Sequence, residues 1–282
     1  MTSILCATDF STNANHAIQY CLALAKKING NVFILHGYES PLAFTEMPMT
    51  AIVNAEAQIR QAAENKLEKI KSKAAEQFPS VSIITIVEPG LAADLVTTHA
   101  DKMDADLIVI GKTGTGKVER FFIGSTASKV IQRANCPVLC IPKGFKYKEL
   151  KRIVFATDLK ENNLKATGAL IEFAKLFQAE IIFLFVDDKH VLHSDETVND
   201  MTKTIRKRVK YPKISGYVCK NRKVSDGIEY FLKHHSADLL AMFTQKKKFP
   251  DSLFHPSITK AMANKTSLPL FVLERSERIV LS

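Results

Sequence analysis

Short apolar runs rich in β-branched residues recur along this chain, separated by longer stretches in which apolar positions return every three to four residues. In the first half the runs fall at Ser3–Thr8, Asn31–Gly37, Val81–Val87, Asp106–Ile110 and Pro137–Ile141, and they read as strands. Helical periodicity covers Asn13–Ile28, Pro48–Gln77, Leu91–Met103 and Ile123–Ala134. Ser11 and Thr12 offer caps before the first helix, and Gly30 is placed to end its exit. Strands that are almost wholly apolar and alternate with helices predict a parallel sheet covered on both faces. Ligands of such sheets bind at the carboxyl ends of the strands, and that rule brings Asp9, Gly37 and Gly111 to one rim.

The pattern then repeats. Ile4-Leu-Cys-Ala-Thr-Asp9 is echoed by Ile153-Val-Phe-Ala-Thr-Asp158, and Val32-Phe-Ile-Leu-His36 by Ile181-Ile-Phe-Leu-Phe185. Ala105-Asp-Leu-Ile-Val-Ile110 returns as Ala237-Asp-Leu-Leu-Ala-Met242, and Cys136-Pro-Val-Leu-Cys-Ile141 as Leu268-Pro-Leu-Phe-Val-Leu273. Four echoes in one order indicate a tandem duplication, with domains expected at 1–146 and 147–282. A chain of 282 residues with 46% hydrophobic content can bury a core in each.

Charge divides the halves. Through Lys146 there are 15 basic and 13 acidic residues, and from Tyr147 onward 24 and 16, so most of the net +10 lies in the second half. Lys203, Arg206, Lys207, Arg208, Lys210, Lys213 and Lys246–Lys248 could attract acidic partners, but no nucleic-acid motif accompanies them and nucleic acid is disfavoured as a ligand. No apolar run is long enough to span a bilayer and no signal pattern opens the chain, so a cytoplasmic location without membrane contact is expected. Cys6, Cys21, Cys136, Cys140 and Cys219 lie in apolar segments without metal-ligand spacing and are expected to be buried, reduced thiols. His16, His36 and His99 form no ligand cluster, and no metal site is assigned.

The chemistry concentrates between residues 106 and 133. A strand-like run, Asp106–Ile110, leads into Gly111-Lys-Thr-Gly114, then nine residues, then Gly124-Ser125-Thr126 at the start of a helical stretch. Free amides at a helix start, reached by a glycine loop without Cβ atoms in the way, suit phosphate groups. The segment Gly111–Val118 nearly spells the phosphate-binding loop of nucleotide hydrolases, but Val118 replaces the hydroxyl residue that would meet Mg²⁺. Lys112 and Lys117 are secondary candidates for neutralising phosphate, with solvent exposure the alternative.

On these residues the chain resembles the universal stress protein family in a tandem two-domain form. Ala7-Thr-Asp9-Phe-Ser11 looks like the family's first-strand signature, Gly111-x2-Gly114-x9-Gly124-Ser125 like its ATP-binding pattern, and Cys136-Pro137-Val138 like its entry to the last strand. The resemblance implies two tandem doubly wound five-stranded parallel-sheet domains, Rossmann-like and adenine nucleotide alpha hydrolase-like. It implies Asp9 near the adenosine, the backbone at Gly37 reading adenine, Ile110 and Gly111 lining the ribose side, and Gly114, Gly124, Ser125 and Thr126 holding the phosphates. ATP is the expected ligand, with AMP or ADP as alternatives and Mg²⁺ accompanying the phosphates. It also implies that Pro137–Ile141 and Leu268–Leu273 pair the two domains within one chain; a further homodimer is left open. Each position has a local reading as well: Asp9 as a helix cap, Gly37 and Gly111 as strand-exit turns, Ser125 as an ordinary helix start.

The second half departs from this pattern. The three glycine positions become Phe243, Lys246 and Pro256, with Ser257 kept, so no ATP is expected there in the same manner. Neither half shows the cationic clamp and positioned base that efficient phosphoryl transfer needs, which favours binding over catalysis. The expected role is a stress-response protein whose nucleotide occupancy biases its conformation or partner contacts. The alternatives are a weak ATPase or nucleotidyl-transfer enzyme, and a non-enzymatic interaction protein using the basic half. Leu42–Ile52 is read as a flap near the nucleotide or a packed loop.

Overall fold

The computed structural model describes residues 2–41, 48–112, 124–158, 167–188, 195–243 and 256–273. In the first repeat these form β1 (Ser3–Ala7), α1 (Thr12–Ile28), β2 (Asn31–Tyr38), α2 (Met49–Gln77), β3 (Ile83–Pro89), α3 (Ala92–Lys102), β4 (Leu107–Gly111), α4 (Ser125–Arg133) and β5 (Val138–Ile141). The second repeats the order with β6 (Arg152–Ala156), α5 (Thr167–Phe177), β7 (Glu180–Asp187), α6 (Asp195–Val209), β8 (Ile214–Lys220), α7 (Val224–His234), β9 (Leu239–Phe243), α8 (Pro256–Lys265) and β10 (Leu270–Leu273). Each repeat is a doubly wound five-stranded parallel sheet, and the two join in one ten-stranded sheet ordered β3-β2-β1-β4-β5-β10-β9-β6-β7-β8. The junction is antiparallel, with Leu270 opposite Cys140 and Val272 opposite Val138.

Strand alternation sorts the core into two layers. Ile4, Cys6, Val32, Ile34, Val109 and their second-repeat counterparts Phe155, Ile181 and Phe183 pack under α1, α2, α5 and α6. Leu5, Ala7, Leu35, Ile108, Ile110, Val154 and Leu184 pack under α3, α4, α7 and α8. Both layers run unbroken through the β5–β10 junction, so the repeats share their hydrophobic burial.

The helix ends follow local chemistry. Ser11 caps α1, its side chain accepting from the Ala14 amide, and the left-handed exit falls on Asn29 (φ 53°) rather than on Gly30. Gly30 instead donates to the Ala25 carbonyl. The third strand begins two residues later than its apolar run suggests. Val81 is bonded into a turn with Phe78, and Pro89 can end the strand because β3 is the edge of the sheet among the described residues. Of the flap segment, 42–47 lie outside the described residues, and Met49–Ile52 open α2. The four cysteines Cys6, Cys21, Cys140 and Cys219 are buried, Cys136 is half-buried, and all five are free thiols. No helix among the described residues is long and apolar enough to cross a membrane.

Candidate functional site

The carboxyl ends of β2, β1 and β4 lie side by side, because these strands are parallel neighbours in the sheet. Leu35 faces Ala7 and Cys6 faces Val109, so Asp9, Gly37 and Gly111 all reach the same edge. Gly124 comes to this edge too, because its amide donates to the Lys112 carbonyl and so sets the start of α4 against the exit of β4.

The turn after β1 is built from its own side chains. Thr8 donates its amide to the Leu35 carbonyl at 2.9 Å and accepts from the Phe10 amide through its hydroxyl at 3.1 Å. Asp9 is exposed, and its Oδ1 accepts from the Ser11 amide at 3.0 Å, so this carboxylate shapes the entry to α1. Phe10 takes φ 62°, a conformation that costs a bulky residue free energy and that the surrounding contacts must hold. Its ring lies 4.2 Å from the His36 ring and under the Lys66 ammonium at 5.1 Å. His36 Nδ1 is 2.9 Å from the Thr8 carbonyl. Phe10, His36 and Lys66 form a brace that no spacing rule would have found, although an aromatic residue immediately after a rim carboxylate is its one legible trace.

The glycines serve packing more than turning. Gly37 lies within β2 opposite Glu88, and a Cβ there would come within 2.7 Å of Leu95 Cδ1. Gly111 is the last residue of β4, opposite Ile141, and its Cβ would lie 2.7 Å from Asn13 Nδ2. Neither is a strand-exit turn, since the described glycines with positive φ are Gly90 and Gly144. Asn13, only 3% exposed, enters the site through the missing side chain of Gly111, and the glycine is the signal that pointed there. Ile110 is buried in the layer under α3 and α4.

Gly124 is the extended residue before α4 (φ −62°, ψ 156°) and brings no side-chain cap. Ser125 is exposed and Thr126 half-buried at the first turn, so the helix presents its amino end at the rim, and Gly124 itself supplies no side chain to cap it. Gly114 and Lys117 lie outside the described residues. Lys112 is at neither a phosphate position nor the solvent. It is 3% exposed and its ammonium donates to the Thr266 carbonyl at 2.6 Å, across the junction in the second repeat. Burial pulls this lysine down to about 8, and burial pushes the neighbouring Cys140 thiol up to about 12.

The matching corner of the second repeat is filled. Phe243 pairs with Leu273 as Gly111 does with Ile141, and its ring packs edge-on against Phe155 at 5.1 Å. The Thr259 hydroxyl donates to the Phe243 carbonyl at 3.2 Å.

Part of the basic excess is engaged, while Lys246–Lys248 lie outside the described residues. A cleft of about 890 Å³ at the amino ends of β7 and β8 is lined by Lys27, Lys151, Arg206 and Lys213, among others. Yet Lys27 meets Glu149 at 2.7 Å, Arg206 donates to the Ile214 carbonyl at 2.6 Å, and Lys213 to the Gln178 carbonyl at 2.7 Å. Among the described residues no group of three or more His, Cys, Asp or Glu could hold a metal ion.

Universal stress protein MJ0531 of Methanocaldococcus jannaschii is 32% identical over 142 residues, 50% of this chain and 81% of that protein. Universal stress protein YxiE of Bacillus subtilis is 30% identical over 145 residues, 49% of this chain and 97% of that protein. A crystal structure of a universal stress protein from Archaeoglobus fulgidus superposes with a TM-score of 0.72 at 15% identity, covering 97% of this chain and 98% of that one, which shows a common fold across both repeats. The Universal stress protein family pattern matches twice, at residues 1–142 and 149–274, and the chain therefore belongs to that family in a tandem two-domain form.

Proposed function

We propose that the first repeat binds an adenine nucleotide, ATP foremost and AMP or ADP as alternatives, at the carboxyl edge of β1, β2 and β4. In this reading the domains part near residue 146, the paired strands β5 and β10 hold them together, and nucleotide occupancy biases conformation or partner contacts during a cytoplasmic stress response. Asp9 takes the nucleoside end, Gly37 and Ile110–Gly111 the base and ribose side, and Gly124, Ser125 and Thr126 the phosphates, together with Gly114. The observation that carries the reading is the amino end of α4, set at the rim by the Gly124–Lys112 bond and started by a glycine that brings no capping side chain of its own. Mg²⁺ would arrive with the phosphates. Occupancy can act as a signal only if the two conformations bind nucleotide unequally.

Mass spectrometry of denatured protein is expected to find a copurified adenine nucleotide, and calorimetric titration to detect ATP binding to the full chain. Gly124→Asp adds a carboxylate beside the phosphates and should weaken ATP by about a hundredfold or more, the size of losing a charge-assisted contact and gaining a repulsion. An affinity unchanged in that variant overturns the phosphate assignment.

A further inference from the structure

Lys112 is held at three points. Its amide donates to the Ile141 carbonyl at 2.9 Å, its carbonyl accepts from Gly124, and its ammonium crosses to the Thr266 carbonyl at 2.6 Å. Thr266 closes α8, donating its amide to Met262 at 2.8 Å, and its hydroxyl accepts from the Leu268 amide at 3.1 Å just before β10. A cation at a helix's carboxyl end is favourably placed, because the last carbonyls lack partners in the helix. It is nonetheless costly inside a protein, where an apolar side chain of similar length would pack without desolvation. Among the described residues the groups facing the ammonium are Cys140, whose thiol burial keeps neutral, and the Thr266 carbonyl, and none of them is a carboxylate that would offset the cost.

A packing role alone would be served by methionine. What lysine adds is a directed link between two places that are 154 residues apart in sequence: the β4 exit with the first amide of α4, and the end of α8. We propose that Lys112 is a positioning residue of the nucleotide site, fixing Gly111 and Gly124 against the end of α8 so that occupancy of the first repeat is felt at the second. The proposal rests on the nucleotide reading above. Linkage then makes the effect reciprocal, so whatever disturbs the Thr266 turn alters nucleotide affinity as well.

The test is hydrogen exchange followed by mass spectrometry on the full chain, with and without Mg-ATP, in the wild type, Lys112→Met and Lys112→Arg. In the wild type ATP should slow exchange at 124–133 and, by about fivefold, at 262–268. Lys112→Met should keep the first effect and lose the second, and Lys112→Arg, which retains a cationic donor, should restore part of it. Slowing at 262–268 in Lys112→Met equal to that of the wild type overturns the proposal and leaves nucleotide binding standing. If ATP slows neither segment in the wild type, the nucleotide reading fails, and the link is judged without ligand. Lys112→Met must then speed exchange at 124–128 and 266–268 together, by about threefold, and unchanged rates overturn it. Lys112→Ala, which admits water at the Thr266 carbonyl, replaces the methionine variant if that does not fold.

Discussion

Gly111 and Phe243 each end the penultimate strand of their repeat, β4 and β9, opposite Ile141 and Leu273 of the last strand, and they end it in opposite ways. At Gly111 the absent side chain admits the Asn13 amide, leaving a polar corner at the sheet edge. At Phe243 an aromatic ring closes the corner against Phe155. One duplicated scaffold therefore supports two solutions, a polar rim and an apolar plug, and the core residue beneath changes with them, Cys6 in the first repeat and Phe155 in the second. The contrast is sharpest at Phe243→Ala. A ring 3% exposed, with an aromatic neighbour at 5.1 Å, should cost about 3–5 kcal/mol on truncation, seen as a lower urea midpoint at unchanged slope. Opening this corner should not create a second nucleotide site, because Pro256 brings no amide to the start of α8. Stoichiometry by calorimetry should stay at one nucleotide per chain; a value of two would break the comparison.

The reverse change plugs the polar corner. Gly111→Ala places a methyl 2.7 Å from Asn13 Nδ2, 3.3 Å from Asn13 Cγ and 3.3 Å from its carbonyl, so the start of α1 has to move. The expected cost is about 2 kcal/mol, within the range for overpacking a tight site, with nucleotide affinity falling alongside. Asn13→Ala in the same chain should recover most of the stability and little of the affinity. A double-mutant cycle reads both, and additive stability losses would show that the two residues do not share the space.

Gly37 sharpens the lesson, because its counterpart is a size exchange. In the first repeat Gly37 yields to Leu95 of α3, at 2.7 Å from the hypothetical Cβ. In the second, Val186 of β7 fills the strand position and Gly227 of α7 yields, its own Cβ lying 2.5 Å from Val186 Cγ1. The same strand–helix approach is kept with large and small exchanged across it. Gly37→Ala should therefore cost about 1–2 kcal/mol in thermal or urea unfolding, at or just below the cost at Gly111, because both sites set a backbone carbonyl 3.3 Å from the new methyl while the half-buried Leu95 terminus turns aside more freely than the buried Asn13 amide. Leu95→Ala in combination should relieve it; a combined loss equal to the sum of the two would deny the exchange.

How far the sequence could be read follows from these cases. Apolar runs alternating with helices and the fourfold echo dictated two doubly wound halves, since strands apolar on both faces need helices on both. Asp9, Gly37 and Gly111 could be placed at one edge from the strand ends, and Gly124 beside them from the glycine loop that leads to its helix. Their partners could not. That Gly37 makes room for Leu95, that Gly111 makes room for Asn13, and that Phe10 takes a positive φ beside His36 are tertiary facts, set by residues distant in the chain. Lys112 was least legible of all, because a lysine beside a glycine loop reads as a phosphate contact, and its true acceptor is a carbonyl 154 residues away.

Lys112 also separates the repeats by pH, since the second repeat has Thr244, an uncharged residue, at the corresponding position. Burial holds the folded-state lysine at about 8, against 10.5 for a solvated one. Between those values the unfolded chain carries the proton that the folded chain has lost, so unfolding takes up protons and stability rises as pH increases from about 8 toward 10.5. Below 8 both states are protonated and this residue adds no slope. One proton exchanged over one pH unit is worth at most about 1.4 kcal/mol, so the wild type should gain about 1 kcal/mol on Lys112→Met between pH 8 and 9. Restricting the comparison to that window limits the opposing titration of Cys140, whose raised folded-state value makes stability fall with pH above the ordinary thiol range. Urea unfolding of the two proteins at pH 7, 8 and 9 decides it. A difference that stays constant across the three would mean that the ammonium is hydrated at the junction, and that the two repeats are not divided by a buried charge.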